Sequence, residues 1–210
     1  MCGRFALLTD LSVITASFHI REVACEYRPA SGIAPGREVA AVIHDGGNRL
    51  VGLRWGLVPA WARDPSIGKR LYNARAETVA EKPSFRNAFR KGRCLIVADG
   101  FYEWRKEGKS KKPFYFHLKS GAPFGFAGLY ERWLSPDRRP VLTCTIVTTE
   151  PNALIAAVHD RMPVILPKDR EGFWLDPANG DARGLLTLLK PYPAGEMEIT
   201  DAPAIPADAP

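Results

Sequence analysis

The chain reads as an α+β fold, a mainly antiparallel twisted sheet curled toward a barrel with helices packed outside. Three observations predict it. Apolar runs of strand length fill the middle of the 210 residues, most are joined by short turns rather than crossover helices, and segments with helical spacing are few and brief. A composition 46% hydrophobic and 25% charged is that of a soluble globular protein with ample material for a core. The length favours one large domain over residues 1–200, followed by a mobile Pro/Ala-rich tail, DAPAIPADAP, at 201–210.

Apolar spacing from Leu8 to Phe18 predicts a helix, with Thr9 or Asp10 as its cap. Residues 38–43 and 49–55 read as two strands around the turn signal Asp45-Gly46-Gly47-Asn48. Pro83 to Lys91 reads as a short helix that buries Phe85 and Phe89 and places Arg86 and Arg90 on a neighbouring face. Strands follow at 94–104, 113–118, 124–133 and 140–149, with KEGKSKK (106–112) as a solvated hairpin tip. A short helix over 151–158 begins at a proline and ends near His159, and another spans about 168–175 after Pro167. Trp55, Trp133 and Trp174 are expected in the core.

No apolar run approaches the roughly 18–20 residues that cross a bilayer, and the start, MCGRFALLTDLSV, is a poor signal peptide. The expected setting is the cytoplasm, at the nucleoid in a bacterium, with no membrane partner. Cys2, Cys25, Cys94 and Cys144 lie far apart with no C-x-x-C pair, so neither a disulfide framework nor a zinc site is expected. No metal and no organic cofactor is implied. The net charge of +6 is unevenly placed: from Arg54 to Lys112 there are 15 Lys and Arg against 6 Asp and Glu. Such a basic middle suits a polyanionic partner.

Position 2 is chemically special. Cysteine is small enough for a preceding Met to be removed, which would leave an α-amine and a thiol on adjacent carbons of Cys2. Reference pKa values of about 7.7–8.0 and about 8.5 leave usable fractions of both nucleophiles near neutrality. Such a 1,2-aminothiol can attack an acyl carbon through sulfur with its own amine as base. It can instead condense with an aldehyde, the amine forming an imine and the sulfur closing a thiazolidine that resists hydrolysis.

Five stretches combine polar side chains with aromatic or glycine punctuation: MCGRF (1–5), RWGLVPAW (54–61), NARAET (73–78), ADGFYEW (98–104) and HDRMP (159–163). In this order, over residues 1 to about 175, they resemble the SOS response-associated peptidase family of abasic-site processing proteins. The resemblance implies a twisted sheet or barrel with the N-terminal cysteine at the floor of a basic DNA groove. It implies covalent capture of abasic sites in single-stranded DNA through a thiazolidine at Cys2, with Asn73, Glu103 and His159 completing the active site. Arg4, Trp61, Arg75, Trp104 and Arg161 would face the DNA; Arg86, on the helix face read above, is expected to join them, and a monomer suffices. One departure is visible: before Ala34-Pro35 the family commonly has an aromatic residue and Asn, where this chain has Ser31-Gly32.

On that substrate the side chains have natural roles. An abasic deoxyribose is mostly a closed hemiacetal, and His159, titrating near neutrality, can donate a proton to the ring oxygen as it opens. Glu103, in an aromatic strand, suits proton shuttling at the Cys2 amine and the departing C1′ hydroxyl. Asn73 offers donor and acceptor without charge, to orient the amine or a sugar hydroxyl. Arg75 and Arg4 can hold phosphates, and Trp61 and Trp104 can stack on bases flanking the gap.

Three other readings share some of these residues. Class II glutamine amidotransferases also begin Met-Cys-Gly, but their His-x-Arg-Tyr/Trp-Ala-Thr and Asn-Gly segments have no counterpart here. A cysteine peptidase, in the narrowest case acting only on its own Met1, could use Cys2, His159 and Asn73. A DNA-binding module without catalysis would use the arginines and tryptophans and have no need of Cys2.

Overall fold

A computed structural model describes residues 2–108 and 110–201. The chain begins with β1 (Arg4–Leu7), α1 (Leu11–Ser17), β2 (Ile20–Ala24), β3 (Ala30–Ile33), β4 (Glu38–His44), β5 (Asn48–Trp55) and β6 (Asn73–Arg75). It continues through α2 (Arg86–Lys91), β7 (Arg93–Ala98), β8 (Gly100–Glu107), β9 (Ser110–Leu118), β10 (Phe124–Leu134) and β11 (Pro140–Thr149). The last elements are α3 (Ala153–Ala156), β12 (Met162–Pro163), α4 (Glu171–Leu175), α5 (Ala182–Thr187) and β13 (Met197–Asp201).

Strands β11, β10, β7, β4 and β5 pair in that order, and β5 returns to β11 through Thr143 opposite Arg54 and Cys144 opposite Trp55, closing a barrel. A ring of five strands cannot alternate direction all the way round, and the β5–β11 contact is its one parallel pair. Strand β6 adds to β11, also in parallel, and β2 pairs parallel with β5. A second, antiparallel sheet runs β13-β9-β8-β1-β3. The expected curled sheet with outer helices is therefore present, with parallel contacts that turn signals alone do not reveal.

The period of two along each barrel strand divides the core. Val39, Ala41, Leu53, Trp55, Cys94, Ile96, Phe126 and Ile146 face one cluster, which Phe5, Phe101 and Phe116 of the second sheet complete. Val42, Leu50, Leu95, Val97, Leu129 and Val147 face the other way, onto Ile14 of α1, Phe89 of α2, Trp174 of α4 and Leu185 of α5. Trp55, Trp133 and Trp174 are all buried, as the sequence predicts.

Three expectations need correction. The run 94–104 is two strands in different sheets, broken at Asp99. The Asp99 carboxylate accepts from the Leu8 and Thr9 amides and the Thr9 hydroxyl, pinning the corner to the segment after β1. Helix α1 starts at Leu11 rather than Leu8, because those same amides are held by Asp99, and Asp10 at its cap accepts no side-chain bond. Helix α3 is a single turn capped by Asn152, whose side chain accepts from the Ile155 amide. Strands β1, β2, β3, β6, β12 and β13 and helix α5 have no counterpart in the sequence reading. Residues 202–210 of the expected tail lie outside the described residues.

Candidate active site

Three elements from distant parts of the sequence meet at one end of the β1–β8 pair. Strand β1 lies antiparallel to β8, with Arg4 opposite Tyr102 and Phe5 opposite Phe101, so the residues just before β1 lie beside Glu103 and Trp104. Cys2 is fully buried there, within the barrel cluster, and its Sγ lies 3.7 Å from the Arg4 carbonyl. Strand β6 supplies the second wall. Its Ala74 is buried in the helix-covered core, so Asn73 and Arg75 point to the opposite face. The Asn73 amide Nδ2 donates to the Cys2 carbonyl at 2.8 Å, tying the chain start to β6 across 71 positions of sequence. The Asn73 Oδ1 is buried and has no hydrogen-bond partner among the described residues.

The third wall is the segment between α3 and β12. The His159 amide donates to the Ile155 carbonyl as the helix ends, and Nε2 then lies 3.9 Å from Glu103 Oε2. The Arg161 amide donates to His159 Nδ1 at 3.0 Å, which reserves that lone pair and leaves the proton of the neutral ring on Nε2, facing Glu103. Asp160 Oδ1 also lies 2.9 Å from Nδ1, but this carboxylate is 88% exposed and free to turn, whereas the amide is fixed.

The electrostatics follow from burial. Desolvation pushes the Glu103 carboxyl up to about 7; the positive amino terminus opposes this and the Asp160 charge adds to it. Glu103 can therefore hold or release a proton at neutral pH. Burial pulls His159 below its ordinary value, helped by the charge of the amino terminus, so the ring is mainly neutral. Burial pushes the Cys2 thiol well up, and the neighbouring Glu103 charge pushes the same way.

The other expected site residues fall in distinct places. Trp104 is partly exposed and, with Glu103, His159, Lys106 and Lys111, lines a cleft of about 370 Å³. Arg75 is exposed beside Asn73. Trp61 is 59% exposed and donates to the Pro83 carbonyl at 3.4 Å; Arg86, exposed on α2, follows three residues after Pro83. Arg4 donates to the Gly32 carbonyl at 3.2 Å. Arg161 is committed to structure: its guanidinium grips both oxygens of Glu77 at 2.5 and 3.0 Å and donates to the Thr148 carbonyl at 2.6 Å. That grip holds the Glu77 carboxyl below its usual range. Sequence reasoning missed Lys106 and Lys111, assigned to a solvated tip; their signal was the two-residue spacing from Trp104, which puts Lys106 on the same strand face.

No group of three or more His, Cys, Asp or Glu able to hold a metal occurs among the described residues. No helix among them is long and apolar enough to cross a membrane.

The chain is similar in sequence and in fold to known proteins. Residues 1–204 match the family model for SOS response associated peptidase (SRAP). The chain is 48% identical over 202 residues to the abasic site processing protein YoqW of Bacillus subtilis, covering 94% of this chain and 90% of that one. It is 31% identical over 185 residues to the abasic site processing protein YedK of Escherichia coli, covering 83% and 79%. A crystal structure of a protein from Bacteroides thetaiotaomicron superimposes with a TM-score of 0.88 at 30% identity, covering 94% of this chain and 90% of that one.

Proposed function

The chain belongs to the SOS response-associated peptidase family, and from that membership we propose that it captures abasic sites in single-stranded DNA as a thiazolidine on Cys2 once Met1 has been removed. The observation that carries this reading is the Asn73 bridge to Cys2. The half-buried Asn73 side chain donates to the carbonyl of the second residue, beside a carboxylate pushed up to about 7, and its Oδ1 is an acceptor with no partner among the described residues.

The steps use the chain's own groups. The protonated fraction of His159 gives a proton from Nε2 to O4′ as the C1′–O4′ bond opens, and the C1′ hydroxyl proton returns to the imidazole ring through Glu103 as the aldehyde forms. The Cys2 amine adds to C1′, and Glu103, protonated, gives its proton to the departing hydroxyl, leaving an imine and one water. The Cys2 sulfur then adds across the C=N bond, and its proton passes through Glu103 to the nitrogen. Aldehyde and aminothiol become thiazolidine plus water. Burial that disfavours the thiolate suits this order, in which sulfur need not be the first nucleophile. Here nitrogen attacks first, and sulfur closes a ring on a carbon already held beside it.

The test is to mix the mature protein with an oligonucleotide carrying one abasic site and analyse the product by denaturing gel and intact mass. The expected product weighs protein without Met1, plus DNA, less one water. Cys2→Ser should give no stable adduct and Cys2→Ala at most an imine trapped by borohydride. An unchanged adduct from Cys2→Ser, or one retaining Met1, would end the proposal. Glutamine hydrolysis without any DNA adduct would point to the amidotransferase instead.

A further inference from the structure

The hairpin of β8 and β9 carries two basic pairs that the chemistry above does not use. Arg105 lies opposite Lys112, and Lys106 opposite Lys111. Like charges facing each other across an antiparallel pair repel, so each pair needs compensation. The first has it: Arg105 bonds to Glu107, and both Arg105 and Lys112 lie over the Phe114 ring, at 4.8 and 5.2 Å from its centroid. The second does not. Lys106 and Lys111 are exposed, and neither makes a hydrogen bond or ion pair among the described residues. Both turn instead into the cleft shared with Trp104, Glu103 and His159.

We propose that Lys106 and Lys111 form a phosphate clamp, gripping the sugar–phosphate backbone of a single DNA strand next to the nucleotide held at the active site. The anion is what the pair lacks: a phosphodiester between two ammonium groups relieves their repulsion and releases counterions. Placement also fits. Trp104 and Lys106 share a strand face, and two residues of strand rise separate them by about 7 Å, so a base stacked on Trp104 leaves its neighbouring backbone within reach of the lysines. The clamp rests on the reading of the site as a single-stranded DNA groove, and it adds the strand's path: out along the hairpin tip, away from Asn73.

The experiment reads binding to an intact oligothymidylate without abasic sites, by fluorescence anisotropy across a sodium chloride series, with the full chain. K106Q/K111Q should weaken binding at low salt by tenfold or more. It should also flatten the slope of log affinity against log salt by about 1.4, roughly 0.7 for each phosphate that is no longer neutralised. K106R/K111R should keep the wild-type slope, and K190Q, on a distant exposed lysine, should change neither quantity. An unchanged slope in K106Q/K111Q with normal circular dichroism would overturn the clamp, as would a slowed adduct step with the slope intact. Because the ligand carries no lesion, the two readings fail separately. A flattened slope in a protein that forms no adduct removes the covalent reading alone, and a normal adduct with an unchanged slope removes the clamp alone.

Discussion

Glu103 shows most directly how burial becomes chemistry. A carboxyl in water is fully ionised at neutral pH; here removal from solvent brings it to about 7. In the proposed reaction it must be protonated to expel the hydroxyl, while the Cys2 amine, with a reference value of about 7.7–8.0, must be free. Adduct formation should therefore follow a bell with its maximum between about pH 7 and 8, falling on the alkaline side as Glu103 ionises. Glu103→Gln should lose that alkaline fall and slow adduct formation roughly 100-fold, measured by single-turnover gels at several pH values. The same shift has a stability consequence. The folded state holds a proton that the unfolded chain loses near 4.5, so stability declines as pH rises from about 4.5 to 7, and the penalty is complete above 7. Glu103→Gln should therefore melt higher than the parent at pH 8 and not at pH 4. Glu171, also pushed up to about 7 by burial, contributes its own slope to both proteins and cancels in the comparison. Gly32 sits at φ 68, a left-handed backbone that favours glycine, and offers its carbonyl to Arg4.

The β7–β8 corner is the element on which the site's geometry depends. Asp99 ends one sheet and Gly100 begins the other, and Gly100 packs so closely that an added Cβ would meet the Tyr115 ring and lie 2.6 Å from the Phe116 carbonyl. The obstacle is partly backbone, so the β8–β9 register would have to shift, carrying Glu103 and Trp104 with it. Gly100→Ala should destabilise the protein by about 1–3 kcal/mol, read from the denaturant midpoint, and should also slow adduct formation although it lies three positions from Glu103. A midpoint change without a rate change would show that the corner holds the fold but not the site. Arg161 works at the same level: by joining Glu77 to the Thr148 carbonyl it fastens the turn after β6 to β11 and holds the His159 segment against them.

The two apolar clusters lie on opposite faces of one closed sheet, so neither can lose its packing without disturbing the other. Thermal or denaturant unfolding should then be a single transition, with Trp55 in one cluster and Trp174 in the other reporting the same midpoint. Ile146→Val, on the barrel's inner face, should lower stability by about 0.5–1.5 kcal/mol, and Leu129→Ala, on its outer face, by about 2–5 kcal/mol. Both should move the whole transition, followed by tryptophan fluorescence and circular dichroism together. Separate midpoints for the two probes would mean that the faces unfold independently.

Much of this molecule was legible in one dimension. The alternation of Val, Ile and Phe declares strands, Asp45-Gly46-Gly47-Asn48 declares a hairpin, and Cys directly after Met1 points to the proposed aminothiol, because covalent structure and local sterics need no distant partner. The ordered motifs pointed to Asn73, Glu103 and His159 as companions of Cys2. Their meeting was not legible, because it depends on contacts 71 or more positions apart: the β5–β11 closure, the β6 addition to β11 and the Asn73 bond to the chain start. Nor could the sequence say that Arg161 is spent on Glu77 while Lys106 and Lys111 turn into the cleft. A charge run looks the same whether its ends face water, a carboxylate or a groove, and packing alone settles which of these each cation meets.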